Sequence, residues 1–225
     1  MQVKTATGKQ YAVTAGHPLA AQAAAAILRS ADGNAVDAAI AGAAVLAVAS
    51  PHACSLGGDC FALLHSGGTT WGMNASGRSP AGLPDDASPA QLATGPLSCA
   101  VPGVLGGWEA MHRRFGRMAW PRLFDVAIGL AREGVPVSGE LAAAMRAWHV
   151  PLARDPGCRA LFLRDGAPDA IPYAAGETLR QPALADTLDA IASEGASALY
   201  QGHLGRALCR RVADAQGVLA PDDLR

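Results

Sequence analysis

Asn74-Ala75-Ser76-Gly77-Arg78-Ser79-Pro80 puts a carboxamide, a hydroxyl and a guanidinium within five residues. Arg78 can hold a substrate carboxylate through paired N–H bonds. The other reading of the same residues is that Arg78 pairs with an internal acid while Asn74 and Ser76 satisfy turn backbone. A second polar string, Ser55-Leu56-Gly57-Gly58-Asp59-Cys60-Phe61, lies nearer the amino terminus. Two adjacent glycines before an apolar run mean that backbone passes close to something. Gly57 and Gly58 therefore serve either helix–sheet packing or the wall of a substrate pocket, and Asp59 reads as a solvated acid.

Other chemistry is excluded or unsupported. No GxxxxGK[ST] loop is present, and no strand of the right length leads into Gly103-Val104-Leu105-Gly106-Gly107. Ala53-Cys54-Ser55-Leu56-Gly57 lacks the first glycine of a nucleophile elbow. His17 and His52 sit beside prolines with no fixed company and read as structural side chains. Cys54, Cys60, Cys99, Cys158 and Cys209 contain no CxxC pair, so free buried thiols are expected and no metal site. Eighteen basic and nineteen acidic residues give a formal charge of −1, which argues against a nucleic-acid surface.

The elements that must carry these residues are mostly helices. Of 225 residues half are apolar, 16% are charged and 5% are aromatic, and 50 are alanine, so a packed core is expected and disorder is excluded. Ala12 to Ala15 reads as a short strand, followed by a turn at Gly16-His17-Pro18. Pro18 to Ser30 reads as a helix, with Gly33 in the left-handed cap conformation beyond it. Asn34 caps the next helix, Ala35 to Ala49, with Asp37 near its positive end. That helix is apolar all round except for Asp37, hence buried, and too short to span a bilayer.

Cys60 to His65 and Thr69 to Asn74 read as strands joined through Ser66-Gly67-Gly68. Leu92 to Pro102 is expected to be irregular. Helices follow at Gly103 to Phe115, Pro121 to Glu133, Ser138 to Trp148, Pro182 to Glu194 and Gly202 to Ala215. The tryptophans are read as core or subunit-contact anchors. Pro221-Asp222-Asp223-Leu224-Arg225 has the composition of a helix start, from which a fragment or one subunit of a larger fold is expected. Residues 1–225 read as a single domain with no clear internal boundary. The amino terminus has no apolar leader segment, which suggests a cytoplasmic protein, or a periplasmic one if a leader has been removed.

The order of motifs carries further. Ala15-Gly16-His17-Pro18-Leu19-Ala20, Gly33-Asn34-Ala35-Val36-Asp37-Ala38-Ala39, Ser55 to Phe61, Asn74 to Pro80 and Val101-Pro102-Gly103 follow one another. With Phe115-Gly116 and Asp222-Asp223-Leu224, this series resembles the gamma-glutamyltransferase family over nearly the whole chain.

The resemblance implies a helix-rich α/β (α+β) fold, part of the four-layer αββα sandwich of N-terminal nucleophile hydrolases. It also implies a precursor that cuts itself into a large and a small subunit. The small subunit's new terminal threonine is then the nucleophile and its α-amine the base. This chain resembles the front of the large subunit. Thr69-Thr70 does not resemble the processing site, so no catalytic residue is assigned here, and the isolated chain is expected to be inactive. The partner implied is a small-subunit chain or downstream segment, with a small-molecule amide as substrate and neither metal nor organic cofactor.

Asn74, Ser76 and Arg78, supported by Gly57 and Gly58, are the substrate-binding candidates. Family members acting on γ-glutamyl groups carry a D-x-R-E-x-x-P-like pattern whose arginine grips the α-carboxylate. Counted back from Pro80, Ser76 takes that arginine's place and Gly77 the acid's. The NxSGRxP version is more like relatives that act as amidohydrolases on other small acidic amides. Two alternatives stand beside this: Arg78 takes over the missing arginine's role in γ-glutamyl transfer, or the chain is a non-catalytic helical scaffold.

Overall fold

The computed structural model describes residues 7–167 and 169–225. In chain order the elements are α1 (Pro18–Arg29), α2 (Ala35–Ala49), β1 (Cys60–Ser66), β2 (Thr69–Ala75), α3 (Pro89–Ala93), α4 (Val104–Phe115) and α5 (Asp125–Glu133). Then come β3 (Val135–Pro136), α6 (Gly139–Ala147), α7 (His149–Arg154), α8 (Pro156–Phe162), β4 (Thr178–Leu179), α9 (Pro182–Glu194), α10 (Ser197–Tyr200) and α11 (His203–Asp214). The chain divides into two compact units. One comprises the residues up to Ser55 with Phe115–Asp189, and the other Leu56–Arg114 with Ala190–Arg225.

The first unit is built around α2. Asn34 starts this helix by accepting from the Val36 and Asp37 backbone N–H groups, and the Asp37 carboxylate accepts from the Asn34 N–H in return. Both faces of α2 are buried, with Ile40, Ala44, Val45 and Val48 almost wholly shielded from water. Each such valine or isoleucine contributes roughly 1.5–3 kcal/mol of apolar burial. α1 packs directly on α2. Its inward residues are Ala20, Ala23 and Ala24, and Gly42 faces them from α2, so the two backbones approach closely. Phe124, Leu141, Leu163, Leu179 and Leu188 are among the other buried residues of this unit, and the Gln181 side chain donates to the Val48 carbonyl at 2.7 Å.

The second unit contains the antiparallel β1–β2 hairpin, paired from Cys60 with Ala75 to Ser66 with Thr69. Its two-residue turn is Gly67-Gly68, at φ +57° and +78°, a conformation that glycine adopts without a Cβ penalty. Side chains alternate across β1. Cys60, Ala62 and Leu64 are half-buried, whereas Phe61 and Leu63 are 68% and 84% exposed. A separate core of Val101, Cys209, Val212, Leu219 and Leu224 lies beneath, with Tyr200 packed against it.

Several expectations need correction. Ala12–Ala15 forms no strand, since among the described residues no strand pairs with it. Gly33 is not left-handed; α1 ends at Ser30, and Gly33 is instead a close approach, where a Cβ would lie 2.7 Å from the Ile27 side chain. Just before the segment expected to be irregular, Ser88 and Gln91 form a capping box that starts α3, which runs into that segment as far as Ala93. The helix expected from Pro121 splits into a 3-10 turn (Trp120–Leu123) and α5, with Phe124 at the junction. Pro221–Leu224 is a 3-10 turn, and β3, β4, α7 and α8 have no counterpart among the elements expected from the sequence pattern. Of the five cysteines only Cys209 is buried; the other four are half-buried. Trp108 is a core residue, whereas Trp148 is 54% exposed. Among the described residues no helix is long and apolar enough to cross a membrane. Residues 1–6, part of the segment inspected for a leader, lie outside the described residues.

Candidate functional site

The five candidate residues all fall in the second unit, where β2 runs out of the hairpin. Asn74 is exposed on β2 opposite Phe61. Its side-chain oxygen accepts from the Ser76 backbone N–H at 2.9 Å and from the Ser76 hydroxyl at 2.7 Å. The two candidates thus form one closed turn. Gly57 and Gly58 lead into β1. The Gly58 carbonyl accepts from both Gly103 and Val104 at the start of α4 (3.0 and 2.9 Å). The next residue, Asp59, takes the Gly77 N–H on its carboxylate at 3.1 Å. Asp59 is therefore a fastener of the candidate loop as well as an exposed acid.

The loop after β2 lies tightly against residues 101–104. The Val101 N–H donates to the Arg78 carbonyl at 3.0 Å. A Cβ on Gly77 would fall onto the Val101 carbonyl, and one on Gly103 onto the Ala75 carbonyl. Glycine at 77 is a steric requirement of this approach. Tyr200 ties down the same bend: its hydroxyl donates to the Pro102 carbonyl (2.8 Å) and accepts from the Gly106 N–H (3.0 Å). Burial raises the Tyr200 phenol above its ordinary pKa, so it stays protonated.

Arg78 reaches the carboxy-terminal turn. Its Nη2 donates to the Asp223 carbonyl at 3.2 Å and to the Arg225 carbonyl at 3.5 Å. The Asp223 carboxylate is buried and accepts from Ala81 N–H (2.8 Å) and Ala220 N–H (2.9 Å). Those two N–H groups, with the nearby Arg78 charge in support, hold its carboxyl below the ordinary value despite burial. Sequence reasoning missed Asp59, Tyr200 and Asp223 as partners of this loop. In the sequence Asp222-Asp223 reads as helix-start composition and as the end of the family's motif series, and the 142-residue separation from Ala81 leaves no local signal of their contact.

Nucleophilic thiol chemistry finds no support at Cys60, Cys99 or Cys209. Burial pushes each thiol up, away from the thiolate. The geometry is that of a polar loop tied down by hydrogen bonds at the end of a hairpin.

Comparison with known proteins defines the class. A gamma-glutamyltranspeptidase from Helicobacter pylori superposes with a TM-score of 0.89 at 27% identity, covering 98% of this chain and 65% of that one. The helix-rich α/β architecture is thus that of the N-terminal nucleophile hydrolases. Glutathione hydrolase 3 of Arabidopsis thaliana is 36% identical over 208 residues, 89% of this chain and 32% of the relative. The acylase ACY 1 proenzyme of Pseudomonas sp. (strain V22) is 36% identical over 236 residues, 98% of this chain and 41% of the relative. The family model for gamma-glutamyltranspeptidase matches residues 20–225. The chain belongs to the gamma-glutamyltranspeptidase family. It spans about a third of the length of the first curated relatives it matches.

Proposed function

We propose that this chain is the amino-terminal portion of the large subunit of an enzyme that transfers or hydrolyses an acyl group through a threonine nucleophile outside residues 1–225. The acyl group is γ-glutamyl or a related small acidic amide. Asn74, Ser76 and Arg78 line the acyl pocket, with Gly57 and Gly58 holding the adjacent backbone. The observation that carries this reading is the immobilised loop from Asn74 to Ala81 in a member of this family. It is fastened through Asp59, Val101 and Asp223, and it presents the Asn74–Ser76 turn and a guanidinium.

In the proposed reaction the threonine hydroxyl attacks the amide carbonyl and its α-amine takes the proton. Backbone N–H groups of the partner segment hold the tetrahedral oxyanion, and an amine leaves. Water or another amine then releases the acyl group. The residues of this chain bind and orient the acyl part. The Nε and Nη1 N–H groups of Arg78 supply the positive charge for a carboxylate, because Nη2 is engaged by the terminal turn. Ser76 at the arginine position of the γ-glutamyl pattern favours small acidic amides over glutathione as substrate.

The partner is the small-subunit segment. Support comes from the greater length of the relatives and from the apolar hairpin face of Phe61 and Leu63. The test is turnover of γ-glutamyl anilide and of small acidic amides by the complete gene product, beside the 225-residue chain alone. Turnover is expected only from the former. Arg78→Ala in the complete enzyme is expected to raise KM about tenfold or more with little change in kcat. An unchanged KM, or turnover by the isolated chain, would sink the reading.

A further inference from the structure

We propose that Asp223 is a positioning residue for the acyl-binding loop, acting from the far end of the chain through Ala81 and Arg78. The inference rests on the reading of that loop as the acyl pocket. The loop leaves β2 at Ala75 and has three fasteners. Asp59 takes the Gly77 N–H, Val101 donates to the Arg78 carbonyl, and Asp223 takes the Ala81 N–H. The first two hold backbone at residues 77 and 78. Of the three, Asp223 acts on both the backbone beyond Arg78 and the Arg78 side chain, because its own carbonyl accepts from Arg78 Nη2.

The two oxygens of the Asp223 carboxylate have separate duties. Oδ1 holds Ala81, while Oδ2 accepts from Ala220 and closes the 3-10 turn of Pro221–Leu224. Leu224 then inserts into the core of Val101, Cys209, Val212 and Leu219. The turn is thereby anchored to a rigid layer, and the carboxylate transmits that rigidity to the loop. Only 5% of the residue is exposed, so water does not replace the lost bonds easily when the carboxylate is removed. With the turn released, Arg78 loses its Nη2 acceptor and its guanidinium is free to rotate, so a substrate carboxylate must then order it.

The experiment uses two variants of the complete enzyme, Asp223→Ala and Asp223→Asn. The asparagine keeps size and one acceptor oxygen but offers an N–H₂ where the second N–H needs an oxygen. The expected result is a rise in KM of about tenfold for Asp223→Ala and a smaller rise for Asp223→Asn. kcat at saturation should stay within about threefold, as for loss of a hydrogen bond to a charged group that positions the ground state and transition state alike.

In the complete enzyme, Ala81 amide hydrogen exchange is expected to quicken about tenfold or more in Asp223→Ala, which leaves no acceptor for that N–H, with the Gly77 amide little changed. Unchanged Ala81 exchange, or a lowered melting temperature with KM unmoved, overturns the proposal. The failure of the underlying reading is distinguishable. If Arg78→Ala also leaves KM unmoved, the loop is not the acyl pocket. If Arg78→Ala raises KM and the Asp223 variants do not, only the role of Asp223 falls.

Discussion

Two buried carboxylates fix loops by accepting backbone N–H groups, and they predict different things. Asp37 is fully buried and accepts from Asn34, Arg117 and Met118 N–H groups at 3.0–3.2 Å, so one side chain caps α2 and secures the turn after Phe115. Asp37→Ala leaves those donors short of an acceptor in a buried setting. It is expected to cost about 3 kcal/mol, measured as a shift in the urea midpoint. Asp223 predicts a pH effect. Its folded pKa lies below the ordinary value of 3.8, so its contribution is fully present above that value and is lost as pH falls through the folded one. Asp223→Asn carries no titrating carboxyl. Melting curves between about pH 5 and pH 2.5 are expected to show a shallower loss for this variant than for the wild type. Parallel curves would contradict the assignment.

Among the secondary-structure elements, the alanine excess has a geometric cause. α1 and α2 meet through Ala20, Ala23, Ala24 and Gly42, and a Cβ on Gly42 would sit 3.4 Å from the Ala20 carbonyl and 3.5 Å from the Ala24 Cβ. That is ordinary contact, so Gly42→Ala is expected to fall within about 1 kcal/mol of the wild type, helped by helix propensity. Gly42→Leu has no space and is expected to destabilise by about 1–3 kcal/mol, read from thermal or urea unfolding of the two variants side by side. The hairpin shows the opposite economy. Its Gly67-Gly68 turn sets the register, and the register puts Phe61 and Leu63 on the face that the second unit leaves exposed.

For the molecule as a whole, that exposed face belongs to the proposed contact with the small-subunit segment. Leu63 is 84% exposed in this chain, so Leu63→Lys is expected to move its melting temperature by no more than about 2 °C. In the complete enzyme the same change would bury a charge at the contact and is expected to impair self-cleavage and subunit association. Both are read from the ratio of precursor to processed subunits on a denaturing gel and from size-exclusion chromatography. Normal processing by the Leu63→Lys enzyme would remove the hairpin face from the contact.

Features written between near neighbours are legible in the chain without its fold. Asn34 and Asp37 three residues apart specify a capping box, the apolar run from Ala35 to Ala49 specifies a buried helix, and Gly67-Gly68 between two apolar strands specifies a hairpin. The ordered motifs also identify the family, and Asn74, Ser76 and Arg78 stand within five residues of one another in the chain. Whatever depends on partners distant in sequence is settled by folding alone. Ala12–Ala15 has strand-like residues but, among the described residues, no neighbouring strand to supply a ladder, so it stays irregular. Arg78 has the chemistry of a carboxylate clamp, yet where its guanidinium goes is set by carbonyls about 145 residues away. Asp223 reads in the sequence as one acid at a helix start, and in the fold it is a buried acceptor for Ala81. Periodicity and capping are encoded by neighbours three or four residues apart. The acceptor that a loop N–H or guanidinium finds is encoded only by how the chain folds back on itself.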